Sequence, residues 1–244
     1  MRCAVISDIH ANLEALRAVL ARIIELGADR IVCLGDVVGY NADPNECIDL
    51  MRSKGIACVM GNHDAAACGI EEPDVFNTNA QQAVYWTREH LTGENRSYLR
   101  ALPRAKQIND LFLCHGTVND TNHYLLYDSD AQENFTLMEE LLGRPRLCFF
   151  GHTHIKTAYS AAGPVLEREL ADEMRLSGNK RYLVNPGSVG QPRDGDPQAA
   201  FLIYDAREQT VVFHRVEYDI AACQDKIIRA GLPARLAERL SQGR

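Results

Sequence analysis

The stretch RCAVISDIHANLEALRAVLARIIELG, residues 2–27, carries the pattern that decides the fold. Cys3-Ala4-Val5-Ile6 is an apolar run without a polar break, as in strands whose sheet is covered on both faces. It closes on Asp8-Ile9-His10. Asn12 then offers an N-cap to a helix with Leu13, Leu16, Val19, Leu20, Ile23 and Ile24 at helical spacing, and Gly27 ends it. An apolar strand, polar residues at its end and an amphipathic helix form a unit that recurs down the first half.

Working outward, the pattern predicts strands over 2–7, 30–34, 56–60, 110–114, 146–150, 180–184, 199–204 and 210–216. Helices are expected over 12–26, 44–54, 78–91, 94–101 and 130–142. Two short amphipathic segments, 219–230 and 233–241, split at Gly231-Leu232-Pro233. No linker, low-complexity tract or fixed-period repeat interrupts the chain. The expectation is one α/β domain over 1–244 with an amphipathic helical tail from 219 to 244, free to pack on its own core or on a second copy.

Composition narrows the function. The 244 residues are 46% hydrophobic and 24% charged, a globular mixture, with net charge -7. An acidic chain lacks the basic face that long nucleic acid requires. A small anionic substrate stays open, because a local metal charge can outweigh the global sign. None of the eight cysteines forms a C-x-x-C pair, and Cys3, Cys33, Cys58, Cys114 and Cys148 lie in apolar runs. They read as reduced core thiols of a cytoplasmic protein. The N-terminus enters its first strand directly, so no leader is expected, and no apolar run approaches the ~20 residues of a membrane span.

The ends of the strands carry the chemistry. Asp8 and His10 follow the first, Gly35-Asp36 the second, Gly61-Asn62-His63-Asp64 the third, His115 the fourth and Gly151-His152-Thr153-His154 the fifth. Ligands of open α/β sheets bind at the carboxyl ends of strands. In an extended segment residues i and i+2 point the same way, so Asp8 can reach one point with His10, and His152 with His154. Glycine before Asp36, Asn62 and His152 permits a tight turn and close approach. Two carboxylates, one amide oxygen and four imidazoles suit Mn, Fe, Zn, Ni or Co better than Ca or Mg. Seven donors exceed one octahedron and divide between two ions if one carboxylate bridges. Paired metals ~3.5–4 Å apart are a recurring device for displacement at phosphorus. Each motif alone could be a turn or a surface histidine; the five in this order are hard to explain so.

Together these motifs resemble the calcineurin-like metallophosphoesterase superfamily. The segment Asn185-Pro186-Gly187-Ser188-Val189-Gly190-Gln191-Pro192-Arg193 resembles its compact bacterial and archaeal branch, mainly small phosphodiesterases and phosphatases. The resemblance implies a four-layer sandwich of two mixed β-sheets flanked by helices. It implies two divalent metal ions, manganese favoured: one on Asp8, His10, Asp36 and His154, the other on Asp36, Asn62, His115 and His152. His63 would hold no metal and would protonate the leaving oxygen, with Asp64 orienting it. The run Gly35-Asp36-Val37-Val38-Gly39-Tyr40 departs from the Gly-Asp-x-x-Asp-Arg of protein phosphatases. That points to a small, accessible phosphomono- or phosphodiester, attacked by a hydroxide bridging the metals. A dinucleoside polyphosphate or cyclic-nucleotide hydrolase is an alternative, and a non-catalytic scaffold a weaker one, since all seven donors and His63 are kept.

Arg193, after its Gly/Pro-rich loop, is a candidate phosphate contact. Tyr40 and Asn41 follow the bridging Asp36, and His123 and Tyr124 follow His115; each could shape the substrate site or only its loop. His90 and His214 read as structural.

Overall fold

Strands without a polar break need apolar cover on both sides, and the architecture supplies it. In the computed structural model, which describes residues 1–169 and 171–244, the chain runs β1 (Arg2–Ile6), α1 (Leu13–Glu25), β2 (Arg30–Cys33), α2 (Pro44–Ser53), β3 (Ala57–Cys58) and α3 (Asn62–Ala67). It continues through α4 (Thr78–His90), α5 (Gly93–Arg100), β4 (Ala105–Ile108), β5 (Leu111–Cys114), α6 (Asp128–Glu140) and β6 (Leu147–Phe149). There follow β7 (Thr157–Ala162), β8 (Val165–Glu169), β9 (Glu173–Arg175), β10 (Arg181–Asn185), β11 (Ala199–Asp205) and β12 (Thr210–Val216). The tail holds α7 (Ile220–Arg229), α8 (Ala234–Glu238) and a 3-10 turn, Leu240–Gln242.

Two mixed six-stranded sheets result, ordered β3-β2-β1-β11-β12-β9 and β4-β5-β6-β10-β7-β8. In the first, β1, β2 and β3 are parallel. In the second, β5, β6 and β10 are parallel. The alternation of side chains explains the apolar runs. Cys3 and Val5 of β1 point into a core shared with Leu113, Phe149 and Val184 of the other sheet. Ala4 and Ile6 point the other way, against Leu16, Val19 and Ile23 of α1. Likewise Leu147 and Phe149 of β6 face the inter-sheet core, while Cys148 and Phe150 meet Phe135 and Met138 of α6. The order helix, sheet, sheet, helix is the four-layer sandwich expected.

Most boundaries follow their sequence signals. Asn12 Oδ1 accepts from Ala15 N at 3.1 Å, so the expected N-cap of α1 is made. The differences fall where polarity or length hides an element. Strands β4, β8 and β9 are largely exposed and carry charge, and β7 is Thr, Ala, Tyr and Ser, so none reads as a buried strand. The strand expected over 56–60 shrinks to Ala57–Cys58, because the chain turns into α3 at Asn62. Residues Asn62, His63 and Asp64 therefore sit in a short helix, not at the end of a strand.

The tail packs on its own chain. Cys223, Ile227, Leu236 and Leu240 bury against Tyr40, Ala80 and Ala83. Lys226 Nζ bridges Glu14 at 2.5 Å and Asp43 at 2.7 Å, tying α7 to the N-terminal helices. Among the described residues no helix is long and apolar enough to cross a membrane.

Candidate metal centre

Loops after β1, β2 and β6 converge at the carboxyl ends of the parallel strands, and their backbone is left-handed where the donors stand. Asp8 (φ 54°), His10 (49°), Asp36 (52°), His152 (67°) and His154 (60°) all have positive φ. The extended geometry expected of Asp-x-His and His-x-His is thus replaced. The cause is visible in the loop pairing: Asp8 N donates to Gly35 O at 3.1 Å, His10 N to Asp36 O at 2.9 Å and Ala11 N to Val37 O at 2.8 Å. The hydrogen bonds between β1 and β2 continue into their loops and curl both. Non-glycine residues in this region are strained by about 1–3 kcal/mol each, and such strain gathers at functional sites.

The curl separates the two histidines of the last motif. Donor atoms of Asp8, His10 and His154 lie within 4.8 Å of one another, and so do those of Asp36, His115 and His152. His152 and His154 therefore reach different points, contrary to the extended reading and in line with the division that the resemblance implied. A third group, His10, Asp36 and His63, meets the same distance. Asn62 joins the second group through Oδ1, 3.1 Å from His115 Nε2.

The hydrogen bonds behind the donors favour a cation. Nδ1 of His10 faces Val38 O at 3.0 Å, Nδ1 of His115 faces Leu34 O at 2.8 Å, and Nδ1 of His154 faces Gln191 O at 2.6 Å. A carbonyl accepts only, so each Nδ1 carries a proton, and the neutral rings of His10 and His154 aim their Nε2 lone pairs inward. Nε2 of His10 and His154 then face each other at 3.0 Å, two lone pairs with no proton to share. Asp36 Oδ2 lies 3.5 Å from His10 Nε2 and 3.2 Å from His115 Nε2, and it is buried without a hydrogen-bond partner. Converging lone pairs and an orphaned carboxylate oxygen fit a divalent ion. Among the described residues these clusters are the ones that could hold metal.

Close packing makes the convergence possible. A Cβ on Gly61 would lie 2.1 Å from Asp36 Oδ1, so only glycine lets β3 and β2 deliver their donors together. Gly39, at φ +95°, presses on the His63 ring: a Cβ there would fall 2.5 Å from His63 Nδ1. That contact shapes the site, and only the glycine before Tyr40 hinted at it in the sequence.

His63 differs from the other imidazoles. Its backbone N donates to Asp36 Oδ1 at 2.9 Å, which anchors α3 to the Asp36 carboxylate. Its Nδ1 has no partner, and the ring is enclosed by His10 at 4.8 Å, Tyr40 at 4.5 Å and Phe76 at 4.7 Å. Asp64 makes its hydrogen bonds elsewhere than to this ring. Its Oδ1 accepts from Val38 N at 3.2 Å and its Oδ2 from Gly61 N at 3.1 Å, so it caps α3 and braces the loop over His63.

Electrostatics follow burial. Burial holds His10 and His154 well below the usual imidazole range, His63 at about 4 and His152 at about 3. Burial also pushes Asp8 up to about 6 and Asp64 to about 7. Two groups go against burial. Asp36 is desolvated, yet the imidazoles of His115, His63 and His10 keep its carboxyl well below the ordinary range. His115 is desolvated too, and Asp36 with Asp8 overcomes that to push it up to about 10.

The remaining candidates divide. Arg193 Nη2 donates to the Tyr40 hydroxyl at 3.3 Å, so both border the centre. Asn41 Nδ2 donates to His10 O at 2.6 Å and is buried loop structure. Tyr124 stacks on His152 at 3.9 Å, whereas His123 is exposed and only approaches Asp130, at 4.0 Å. His90 stacks on Trp86 and His214 on Phe201, both away from the donors. The loop Asn185–Arg193 does more than a resemblance conveys. Ser188 Oγ donates to Asp8 O at 2.8 Å and Gly190 N to the same oxygen at 2.9 Å, while Gln191 O holds His154. It is the buttress of the first donor group.

A family model described as the calcineurin-like phosphoesterase superfamily domain matches residues 1–209. An uncharacterised protein of Methanocaldococcus jannaschii is 40% identical over 247 residues, covering 99% of this chain and 98% of that protein. A metallophosphoesterase from Sphaerobacter thermophilus, 38% identical, superposes with a TM-score of 0.86 over 100% of this chain and 99% of its own. A hypothetical protein from Pyrococcus horikoshii, 23% identical, has the same fold, with a TM-score of 0.81 over 100% and 98%. With that match and that relative, the chain belongs to the calcineurin-like phosphoesterase superfamily.

Proposed function

We propose that this protein hydrolyses small phosphomono- or phosphodiesters, using two divalent ions, manganese favoured, held as two sets that share Asp36. The observation that carries the reading is the pair His10 and His154, whose Nε2 atoms face each other at 3.0 Å while each Nδ1 is fixed on a carbonyl. When bound, such ions supply Lewis-acid charge to the phosphoryl oxygens and activate water as nucleophile.

The chain's own residues do the rest. Beside the donors lies a cavity of about 390 Å³ lined by Tyr40, Asn62, His63, Phe76, Tyr124 and His152 among others. That volume suits a small ester. Enclosure of His63 Nδ1 against Gly39 leaves Nε2 as the nitrogen open to this cavity. Burial keeps the ring neutral at first, with its basicity at about 4. A phosphoester anion placed beside it raises that basicity, because an opposite charge favours the imidazolium. The ring then delivers its proton from Nε2 to the leaving oxygen. Asp64 contributes by capping α3 and holding the Val38 loop over the ring. All eight cysteines are free and buried, which suits a reducing compartment such as the cytoplasm.

Metal analysis of Mn²⁺-loaded protein, with rates on p-nitrophenyl phosphate and its bis-ester, tests the reading. Two ions per chain with hydrolysis of at least one ester are expected. Two bound ions without hydrolysis of either would favour the scaffold reading instead.

A further inference from the structure

Two guanidinium groups gather on one aromatic ring beside the donor cluster. Arg193 Cζ lies 5.7 Å and Arg239 Cζ 6.0 Å from the centre of the Tyr40 ring. That ring is in turn 4.5 Å from those of His10 and His63, so the arginines stand one side chain away from the donors. They come from distant places: Arg193 ends the buttress loop, and Arg239 follows α8 in the tail.

Their hydrogen bonds leave charge unspent. Arg193 Nη2 reaches the Tyr40 hydroxyl at 3.3 Å and Gln191 Oε1 at 3.1 Å, and its Nε is buried without a partner. Arg239 Nε donates to the main-chain oxygen of Arg244. Among the described residues neither forms an ion pair, and the nearby acids are engaged elsewhere. Asp194 and Asp196 pair with Arg215, and Glu238 with Arg235. Burial first, and Arg193 second, push Arg239 down to about 10, so both remain charged at neutral pH. Stacking on Tyr40 accounts for one arginine but not for the cost of bringing a second like charge to the same ring. Guanidinium forks bind phosphoryl groups through paired hydrogen bonds.

We propose that Arg193 and Arg239 form a subsite for a second phosphoryl group of the substrate, so that the preferred ester carries two anionic groups, one at the metal donors and one at the arginine pair. The proposal rests on the phosphoesterase reading and gives it a substrate class. It also gives the tail a purpose: the packing of Leu236 and Leu240 beside Tyr40 brings Arg239 to that ring.

The test compares methylenediphosphonate with methylphosphonate as inhibitors of bis-ester hydrolysis by the full chain at one fixed free Mn²⁺ concentration, which cancels chelation between variants. Wild type is expected to prefer the diphosphonate by at least about tenfold, a charge-assisted contact being worth that much. Arg239→Gln should bring that preference down about tenfold, while Arg239→Lys keeps most of it. A preference unchanged in Arg239→Gln overturns the proposal. So does equal loss in the Gln and Lys variants, which would make Arg239 a structural strut. Arg193→Gln reads the same preference should α8 not tolerate substitution. If wild type hydrolyses no ester, the phosphoesterase reading fails on its own, and calorimetric titration of the two anions still decides the subsite.

Discussion

The two donor groups use the same chemistry but are supported differently. In Asp8, His10 and His154 the side chains are 0%, 0% and 2% exposed, and both imidazoles have Nδ1 on a backbone carbonyl. The carbonyls belong to Val38 and Gln191, in loops that also hydrogen-bond the Asp8–Ala11 turn. In Asp36, Asn62, His115 and His152, His115 is fixed in the same way on Leu34. His152 is not: its Nε2 faces Asn122 O at 3.2 Å, and its ring leans on Tyr124, which is 42% exposed. One group is pre-formed by buried loops, while the other depends on an exposed loop after β5. Removing partners behind a ligand costs about 10–100-fold in metal affinity. The buried group is therefore expected to bind its ion more tightly by a factor of that order.

The largest effect is expected at Asp36, the residue proposed to be shared by the two groups. Asp36→Asn keeps the shape and the acceptor for His63 N but removes the charge facing His10 and His115. Metal content should fall from two ions to at most one, and hydrolysis to background. An Asp36→Asn protein that still holds two ions would break the idea of a shared bridge.

Next comes the residue that belongs to neither group by its support but lies within reach of His10 and Asp36. His63→Ala should lower turnover by ~10²–10⁴-fold, as expected of a general acid, while both ions stay. Loss of the tighter ion instead would move His63 into the buried group.

The legibility of this site in the sequence was uneven for physical reasons. Asp8, His10, Asp36, Asn62, His115, His152 and His154 could be picked out because each follows an apolar run buried on both faces. What the pattern could not give was backbone sign. Positive φ at Asp8 and His10 goes with pairing to Gly35 and Asp36, 27 and 26 residues further along the chain, and it redirects side chains that a strand would have aligned. The resemblance gives Asp64 a role in orienting His63, but only the structure shows that this carboxylate caps α3. Arg239 was invisible because nothing local distinguishes it; its position depends on the tail folding back over Tyr40. Edge strands β8 and β9 were hidden by their solvent-facing charges.

Acidity offers a graded test of the contrast. Before metal binds, His115 is pushed up to about 10 and so carries a proton at neutral pH that the ion must displace. The proton competes below about 10, so affinity at this group should rise with pH, by up to about tenfold per unit between pH 7 and 9. His10 and His154 are held neutral by burial, and Asp8 has lost its proton above about 6. Affinity at the buried group should then be flat over the same window. Mn²⁺ titrations at pH 7 and 9 would separate the two, and equal slopes would mean that the ions do not differ in the way their supports do.

The smallest effect isolates the exposed support itself. Tyr124 stacks on His152 at 3.9 Å and 23° and contributes no donor. Stacking of this kind is worth about 0.5–1.5 kcal/mol, so Tyr124→Ala should weaken the looser ion by about threefold to tenfold. The tighter ion should not respond, because Val38 O and Gln191 O, not this loop, hold its imidazoles. Competition with a chelator reads both affinities in one titration. A shift confined to the looser ion ties the asymmetry to the loop after β5. A shift of both would place its origin in Asp36, the proposed bridge.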